Sequence, residues 1–254
     1  MNKQHFASSQ SFSLVARATI GLLGALLLAG CNRPVDQYPW LHDLDAEAGV
    51  KESGERLMLL SEGLHPLEVD ANGVELIVAV HGRGSRGVEW VYPLQRLNDD
   101  QRQIWFFRWN DRGCPGPAAE QLRAAIAPHL SPEISRIRLL GHSYGGLVLA
   151  ALLDGFELPV PVEIHIVASP LRGMGRLTRR CGYQPPVLAR SGVSVFEWRT
   201  VQAQDGAFKN LAEDPQNVEI KGSKVTRLPP EYRGDRLGHN RSLRWVADEL
   251  VDAR

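Results

Sequence analysis

Leu139-Leu140-Gly141-His142-Ser143-Tyr144-Gly145-Gly146 stands between an apolar run of β character, Ile134 to Leu140, and a segment of helical spacing, Tyr144 to about Leu153. Leu147, Ala150 and Ala151 form one face of that second segment, and Gly155 closes it. A serine with glycine two positions to either side, at the junction of a buried strand and a helix, reads as a nucleophile on a sharp turn. A serine hydroxyl is weak at neutral pH. It needs a base within hydrogen-bond reach, an acid to orient that base, and donors for the oxyanion that forms.

Outward from the serine, the chain alternates strands and helices. Leu76-Ile77-Val78-Ala79-Val80 is a continuous apolar run of the kind buried on both faces of a parallel sheet. It is followed by the glycine-spaced His81-Gly82-Arg83-Gly84-Ser85 and a predicted helix from about Val88 to Leu97. Ile104 to Phe107 is a further strand, ending in Trp109-Asn110-Asp111-Arg112-Gly113, and Ala118 to Leu130 a helix with Pro128 awkwardly near its end. After the serine come strands at Val162 to Val167, Val193 to Val201 and Val218 to Leu228, then a closing helix from Ser242 to Val251. Upstream, Glu55 to Val69 is expected to supply one or two opening strands, with Asn72-Gly73 as a hairpin-type turn. The pattern predicts an α/β domain, a mostly parallel sheet covered by helices on both faces. Such sheets bind ligands at their strand C-terminal ends. His81, Asp111, Ser143, Ser169, Asp205 and His239 all fall just after predicted strands.

At Gly141-His142-Ser143-Tyr144-Gly145 the sequence resembles the α/β-hydrolase fold, esterases and lipases among them, in which such a stretch forms the nucleophile elbow. The resemblance extends over most of the chain after about residue 74. It implies that the His81-Gly82 loop supplies part of the oxyanion hole, with the backbone N–H groups of Arg83 and Tyr144 as donors, and that His81 itself is structural. The partners are expected in the order serine, acid, histidine. Only His165 and His239 follow Ser143. His165 lies mid-strand, so His239 in Leu237-Gly238-His239-Asn240 is the expected base. Asp205 in Gln202-Ala203-Gln204-Asp205-Gly206 is the expected acid, although this stretch departs from the family's usual approach to that residue. Asp214, Asp235 and Glu197 are the competing carboxylates. Residues 169–192 leave room only for a short cap. That cap carries Arg172, Arg176, Arg179, Arg180 and Arg190, either a solvated basic loop or a site for an acidic substrate or lipid headgroup.

The N-terminus stands apart. Lys3 and Arg17 are its strong charges, and residues 18–30 are almost wholly apolar or small, too few to span a bilayer, which takes about 20. A basic region, a short apolar core and small residues at the end make an export signal. Leu28-Ala29-Gly30-Cys31 resembles the lipobox of bacterial lipoproteins, implying cleavage before a lipidated Cys31. The expected layout is a lipoprotein signal peptide over 1–30, a tether over 31–54 and a hydrolase domain over 55–254. The location it implies is the cell envelope, lipid-anchored, the periplasmic face of the outer membrane rather than the inner membrane. Basic and acidic residues balance at 29 each, which argues against nucleic acid as a partner. In an oxidising compartment Cys114 and Cys181 can pair, or they can remain two free thiols. No metal or other cofactor is expected. The function expected is a membrane-anchored serine hydrolase that cleaves a carboxylic ester of a small molecule or lipid, or a thioester, through an acyl-enzyme. The alternatives are a non-catalytic envelope lipoprotein that uses the scaffold for binding, and an acyltransferase with the same residues.

Overall fold

Side chains along β2 (Glu75–Val80) alternate between two separate interiors. Leu76, Val78 and Val80 join the core on one face of the sheet, and Ile77 and Ala79 the core on the other. Both sets are fully buried, which explains why this strand is apolar without interruption. The computed structural model describes residues 38–69, 72–155, 158–189 and 191–252. Residues 1–37, which include Cys31, the expected signal and the start of the expected tether, lie outside the described residues.

Around β2 run β1 (Gly63–Pro66), β3 (Arg102–Arg108), β4 (Arg136–His142), β5 (Val162–Val167), β6 (Val193–Arg199) and β7 (Ser223–Arg227). They form one sheet in the order β1-β3-β2-β4-β5-β6-β7, in which only β1 is antiparallel to its neighbour. The parallel α/β sheet expected from the sequence is therefore present. On one face lie α1 (Val50–Met58), α2 (Val88–Leu97) and the closing helix α6 (Gly238–Asp252). On the other lie α3 (Pro115–Ile126) and α4 (Tyr144–Leu152). Nearly every residue of α4 is buried, so this helix is apolar all round. A short helix, α5 (Gly175–Cys181), occupies the cap region, and β8 (Glu231–Tyr232) and β9 (Asp235–Arg236) form a small ribbon before α6.

The structure corrects several boundaries. Residues expected as tether are packed from Tyr38 onward: Leu41 and Leu44 are buried, and Arg56 of α1 holds the carbonyls of Tyr38 and Asp43. The stretch 55–69 begins as helix: Leu57 is buried and Leu59 exposed, two positions that a strand would place on one face and a helix sets on opposite sides. Asn72-Gly73 makes no hairpin, since β1 pairs with β3 and not with β2. The third helix starts earlier, with Pro115 in its first turn, and gives way at Ile126 to a tighter turn over Ala127–His129 that accommodates Pro128. The last sheet strand is shorter than expected and begins after Gly222, whose φ of 89° interrupts the extended chain. His239 lies inside the first turn of α6, not before it.

Candidate active site

The β4-to-α4 turn forces Ser143 into a conformation that L-residues avoid, with φ 53° and ψ −117°. Such strain costs about 1–3 kcal/mol and persists only where the surroundings over-determine it. Here they do. The Ser143 N–H donates to the Val167 carbonyl at 2.9 Å, and its carbonyl accepts from Gly146 at 3.1 Å. Two glycines permit the approach of neighbouring backbone. A Cβ on Gly145 would lie 2.1 Å from the Val80 carbonyl oxygen, and one on Gly82 would lie 2.9 Å from Ser143 Cβ.

The loop after β2 is held in place by His81. Its Nε2 accepts from Arg108 at 2.6 Å and from the Trp109 N–H at 3.4 Å, so the ring proton sits on Nδ1 and is donated to the Gly82 carbonyl at 2.9 Å. Burial lowers the pKa of His81 to about 4, with the Arg108 charge adding to the effect, so the ring stays neutral in this role. A trans peptide sets its C=O and N–H on opposite sides. Fixing the Gly82 carbonyl against the buried His81 ring therefore turns the Arg83 N–H away from the interior. Neither that N–H nor the Tyr144 N–H has a hydrogen-bond partner among the described residues. Asp111 steadies the far side of the loop, accepting from the Gly84 N–H at 2.5 Å.

Asp205 and His239 meet from opposite ends of a long connection. Asp205 is fully buried, with Oδ2 accepting from His239 Nδ1 at 2.9 Å and from Thr200 Oγ1 at 2.5 Å, and Oδ1 accepting from the Ala207 N–H at 2.9 Å. Burial pushes this carboxyl up most strongly, yet the bonds from His239, Thr200 and Ala207 together outweigh it and hold the group below its ordinary pKa. An ionised Asp205 requires the proton of His239 on Nδ1, which leaves Nε2 bare. His142, the residue before the serine, donates from Nε2 to the His239 carbonyl at 3.1 Å. Burial, reinforced by the neighbouring His239, lowers the pKa of His142 to about 3. His142 is thus a neutral brace for the backbone of His239.

Ser143 and His239 line one cleft of about 350 Å³ together with Gly82, Arg83, Arg86, Glu89 and Asn240. No hydrogen bond joins Ser143 Oγ to His239 in this arrangement. Catalytic contacts of this kind commonly tighten only around substrate. The cleft thus holds Ser143, Arg83 and His239, the last backed by the buried Asp205, and Tyr144 follows the serine at the start of α4.

The competing residues lie elsewhere. His165 is buried mid-strand against Phe196 and Trp198 and accepts from Trp198 Nε1, Glu197 is tied to Arg199 and Ser223, Asp214 to Arg227, and Asp235 to Arg241. Sequence reasoning had no means of finding Thr200, which donates to Asp205, or Gln216, which holds Thr200 in turn, since a lone threonine and glutamine after a strand form no motif. Trp90, Trp105 and Trp109 are core residues, and Trp109 also stacks on Tyr144 at 6.0 Å. Cys114 and Cys181 form a disulfide with Cα atoms 5.4 Å apart, tying the segment after β3 to the end of α5. Of the cap arginines, Arg172 pairs with Glu213, and Arg179 and Arg180 are exposed. The Arg176 side chain and Arg190 lie outside the described residues. Among the described residues no cluster of acidic, histidine or cysteine side chains could hold a metal ion, and no helix is long and apolar enough to cross a membrane.

A family model described as the alpha/beta hydrolase family matches residues 77–250. No curated protein matches the sequence. Among solved structures, Est1E from Butyrivibrio proteoclasticus with bound ferulic acid is similar at 12% identity and a TM-score of 0.50, over 75% of this chain and 93% of that one. An esterase from Pyrococcus furiosus is similar at 13% identity and a TM-score of 0.50, over 72% of this chain and 81% of that one. At such identities the likeness shows the fold.

Proposed function

Because the chain belongs to the alpha/beta hydrolase family, as the match over most of its length shows, we propose that it is a serine hydrolase that cleaves a carboxylic ester through an acyl-enzyme. The observation that carries this reading is the His239–Asp205 contact, 2.9 Å long with the carboxylate fully buried, opening on the cleft that holds the strained Ser143. A binding module has no need to keep an imidazole in one tautomer beside a strained serine.

In the proposed reaction Ser143 Oγ attacks the ester carbonyl while His239 Nε2 takes its proton. The negative charge that develops on the carbonyl oxygen falls on the Arg83 and Tyr144 N–H groups. One such donor is typically worth about 3 to 4 kcal/mol in the transition state. His239 then protonates the departing alkoxide, and Asp205 stabilises the imidazolium without taking the proton. Water enters by the same base and releases the acid. The solved neighbours described as esterases agree with an ester of a small molecule; a thioester or a lipid acyl bond would use the same steps.

A fluorophosphonate probe is expected to label the protein at Ser143. Labelling should disappear in Ser143→Ala and fall by about 10⁶ in rate in His239→Ala, the scale on which members of such a unit act. Unchanged labelling of the Ser143 variant would sink the mechanism. We also propose that Cys31 carries a lipid that anchors the enzyme in the cell envelope. Cys31→Ala should then move the protein from the membrane to the soluble fraction, and retention in the membrane would argue against it.

A further inference from the structure

Beside the catalytic cleft runs a second groove of about 650 Å³, lined by Arg83, Arg172, Met174, Leu211, Glu213 and Pro215 among others. Arg83 is the residue common to both spaces. The two can be assigned to the two halves of an ester from the chemistry alone. His239 must reach the departing alkoxide to protonate it, so the alcohol half lies on its side, in the cleft that His239 lines. The acyl half then extends into space that His239 does not line, and the second groove, which meets the cleft at Arg83, is such a space.

The charges there are uneven. Arg83 is exposed and makes no hydrogen bond or ion pair among the described residues. Among the charged residues that line the groove, Glu213 is paired with Arg172, whereas Glu89 and Asp111, bonded to Ser85 Oγ and the Gly84 N–H, line other surfaces. The uncompensated charge of the groove itself is therefore the Arg83 guanidinium, set among walls that include Met174, Leu211 and Pro215. Arg83 also supplies an oxyanion N–H in the proposed reaction, so a substrate whose carbonyl is seated there has its acyl chain within reach of the same residue's side chain.

Resting on the ester-hydrolase reading above, we propose that the natural substrate carries an anion on its acyl half, as in the monoester of a dicarboxylic acid, and that the Arg83 guanidinium selects it. A guanidinium presents a planar fork of donors that matches a carboxylate in two parallel hydrogen bonds, which a lysine ammonium cannot do.

The test compares mono-p-nitrophenyl glutarate with p-nitrophenyl butyrate, esters with the same leaving group and acyl chains of similar length. The ratio of their kcat/KM values should favour the glutarate ester in the native protein, decline as salt is raised, and fall by about tenfold in Arg83→Gln, the scale of one partly exposed charge contact. Arg83→Lys should restore part of it. A ratio unmoved by Arg83→Gln while both esters are still turned over through Ser143 overturns the proposal and leaves the hydrolase reading intact. So does a preference for an anion on the alcohol side, measured with 4-carboxyphenyl butyrate against phenyl butyrate. If neither p-nitrophenyl ester is turned over but the fluorophosphonate still labels Ser143, protection from labelling gives the answer. Glutarate protecting better than butyrate, and only with Arg83 present, supports the proposal, and equal protection overturns it. Failure of Ser143 to label overturns both readings together.

Discussion

The two sides of the candidate site are held by different forces. The oxyanion side, from His81 through the elbow at Ser143, is fixed by neutral groups and by backbone: an uncharged imidazole against a carbonyl, glycines that let chain segments touch, a strained serine. The acid–base side is fixed by charge. A carboxylate with no exposure collects an imidazole, a hydroxyl and a backbone N–H, and its partners come from segments as far as 34 residues apart. The comparison teaches that geometry on the first side is insensitive to protons above the range where His81 and His142 titrate, whereas the second side, in the proposed reaction, depends on an ionised Asp205. Substitutions can break that contrast, and the size of each effect says which side it touches.

The largest effect is expected from Asp205→Asn. The amide oxygen can still accept from Ala207, and its NH2, at the position of Oδ2, meets Thr200 Oγ1, whose proton can turn to Gln216, so the fold should survive, but it no longer selects the Nδ1 tautomer of His239. A fall in kcat of about 10⁴ is expected, with the thermal midpoint little changed. A loss of less than tenfold in single-turnover acylation would show that the acid is not Asp205, and the contrast between the two sides would collapse.

On the neutral side the corresponding change is His81→Leu. It keeps bulk but removes the ring acceptor of Arg108 and the Trp109 N–H and leaves the Gly82 carbonyl only its longer bond from the Ser85 N–H, at 3.4 Å. Misplacing one oxyanion donor should cost about 10²–10³ in kcat with KM nearly unchanged. The same variant carries a pH signature. The folded pKa of His81 is lowered to about 4, below its unfolded value, so the unfolded chain binds the extra proton first. The native protein therefore loses stability as pH falls from about 6.5 to about 4, by about 3 kcal/mol from this residue. His81→Leu should lose less over that window, and urea midpoints measured from pH 7 to pH 4 would show it. An identical pH slope in the variant would mean that His81 is not held neutral.

The contrast also explains what the sequence could reveal. The neutral side is local: Gly141-His142-Ser143-Tyr144-Gly145 and His81-Gly82-Arg83 each carry their own glycines, and β2 announces itself by an unbroken apolar run, so the fold, the strained serine turn and the loop beside it were legible. Asp205 and His239 were legible by chain order, since each follows a strand and precedes a turn or helix. Their surroundings were not. Thr200 and Gln216 act through side-chain contacts across 5 and 16 residues with no repeating spacing. Cys114 and Cys181 could be placed 5.4 Å apart only by the path of the chain. The start of the domain was misread because Leu57, Leu59 and Leu60 suit a strand as well as the end of a helix until one sees that Leu59 faces outward.

The smallest effect expected is also the one that isolates charge from geometry. Thr200 Oγ1 lies 2.5 Å from Asp205 Oδ2 and 3.1 Å from Gln216 Oε1, both acceptors, and its one proton goes to the nearer, charged oxygen. Thr200→Val keeps the shape and the backbone N–H that bonds Gln216 but removes that proton. A hydrogen bond to a charged group contributes about 1.5–3 kcal/mol. Because the bonds to Asp205 hold its folded pKa below the unfolded value, the stability they supply is fully present above about pH 4, the unfolded value, and is lost as pH falls through the folded pKa. Thr200→Val should therefore be destabilised by about 2 kcal/mol at pH 7, and the gap to the native protein should close in acid, where a protonated carboxyl no longer needs the donor. Activity at pH 7 should fall about tenfold, far less than in Asp205→Asn, since His239 still finds an ionised partner. In the background of Asp205→Asn the Thr200 substitution should lose most of its cost, because the hydroxyl then meets a neutral amide. If the two changes add independently, Thr200 supports the loop and not the charge, and the acid–base side would be held by packing much as its counterpart is.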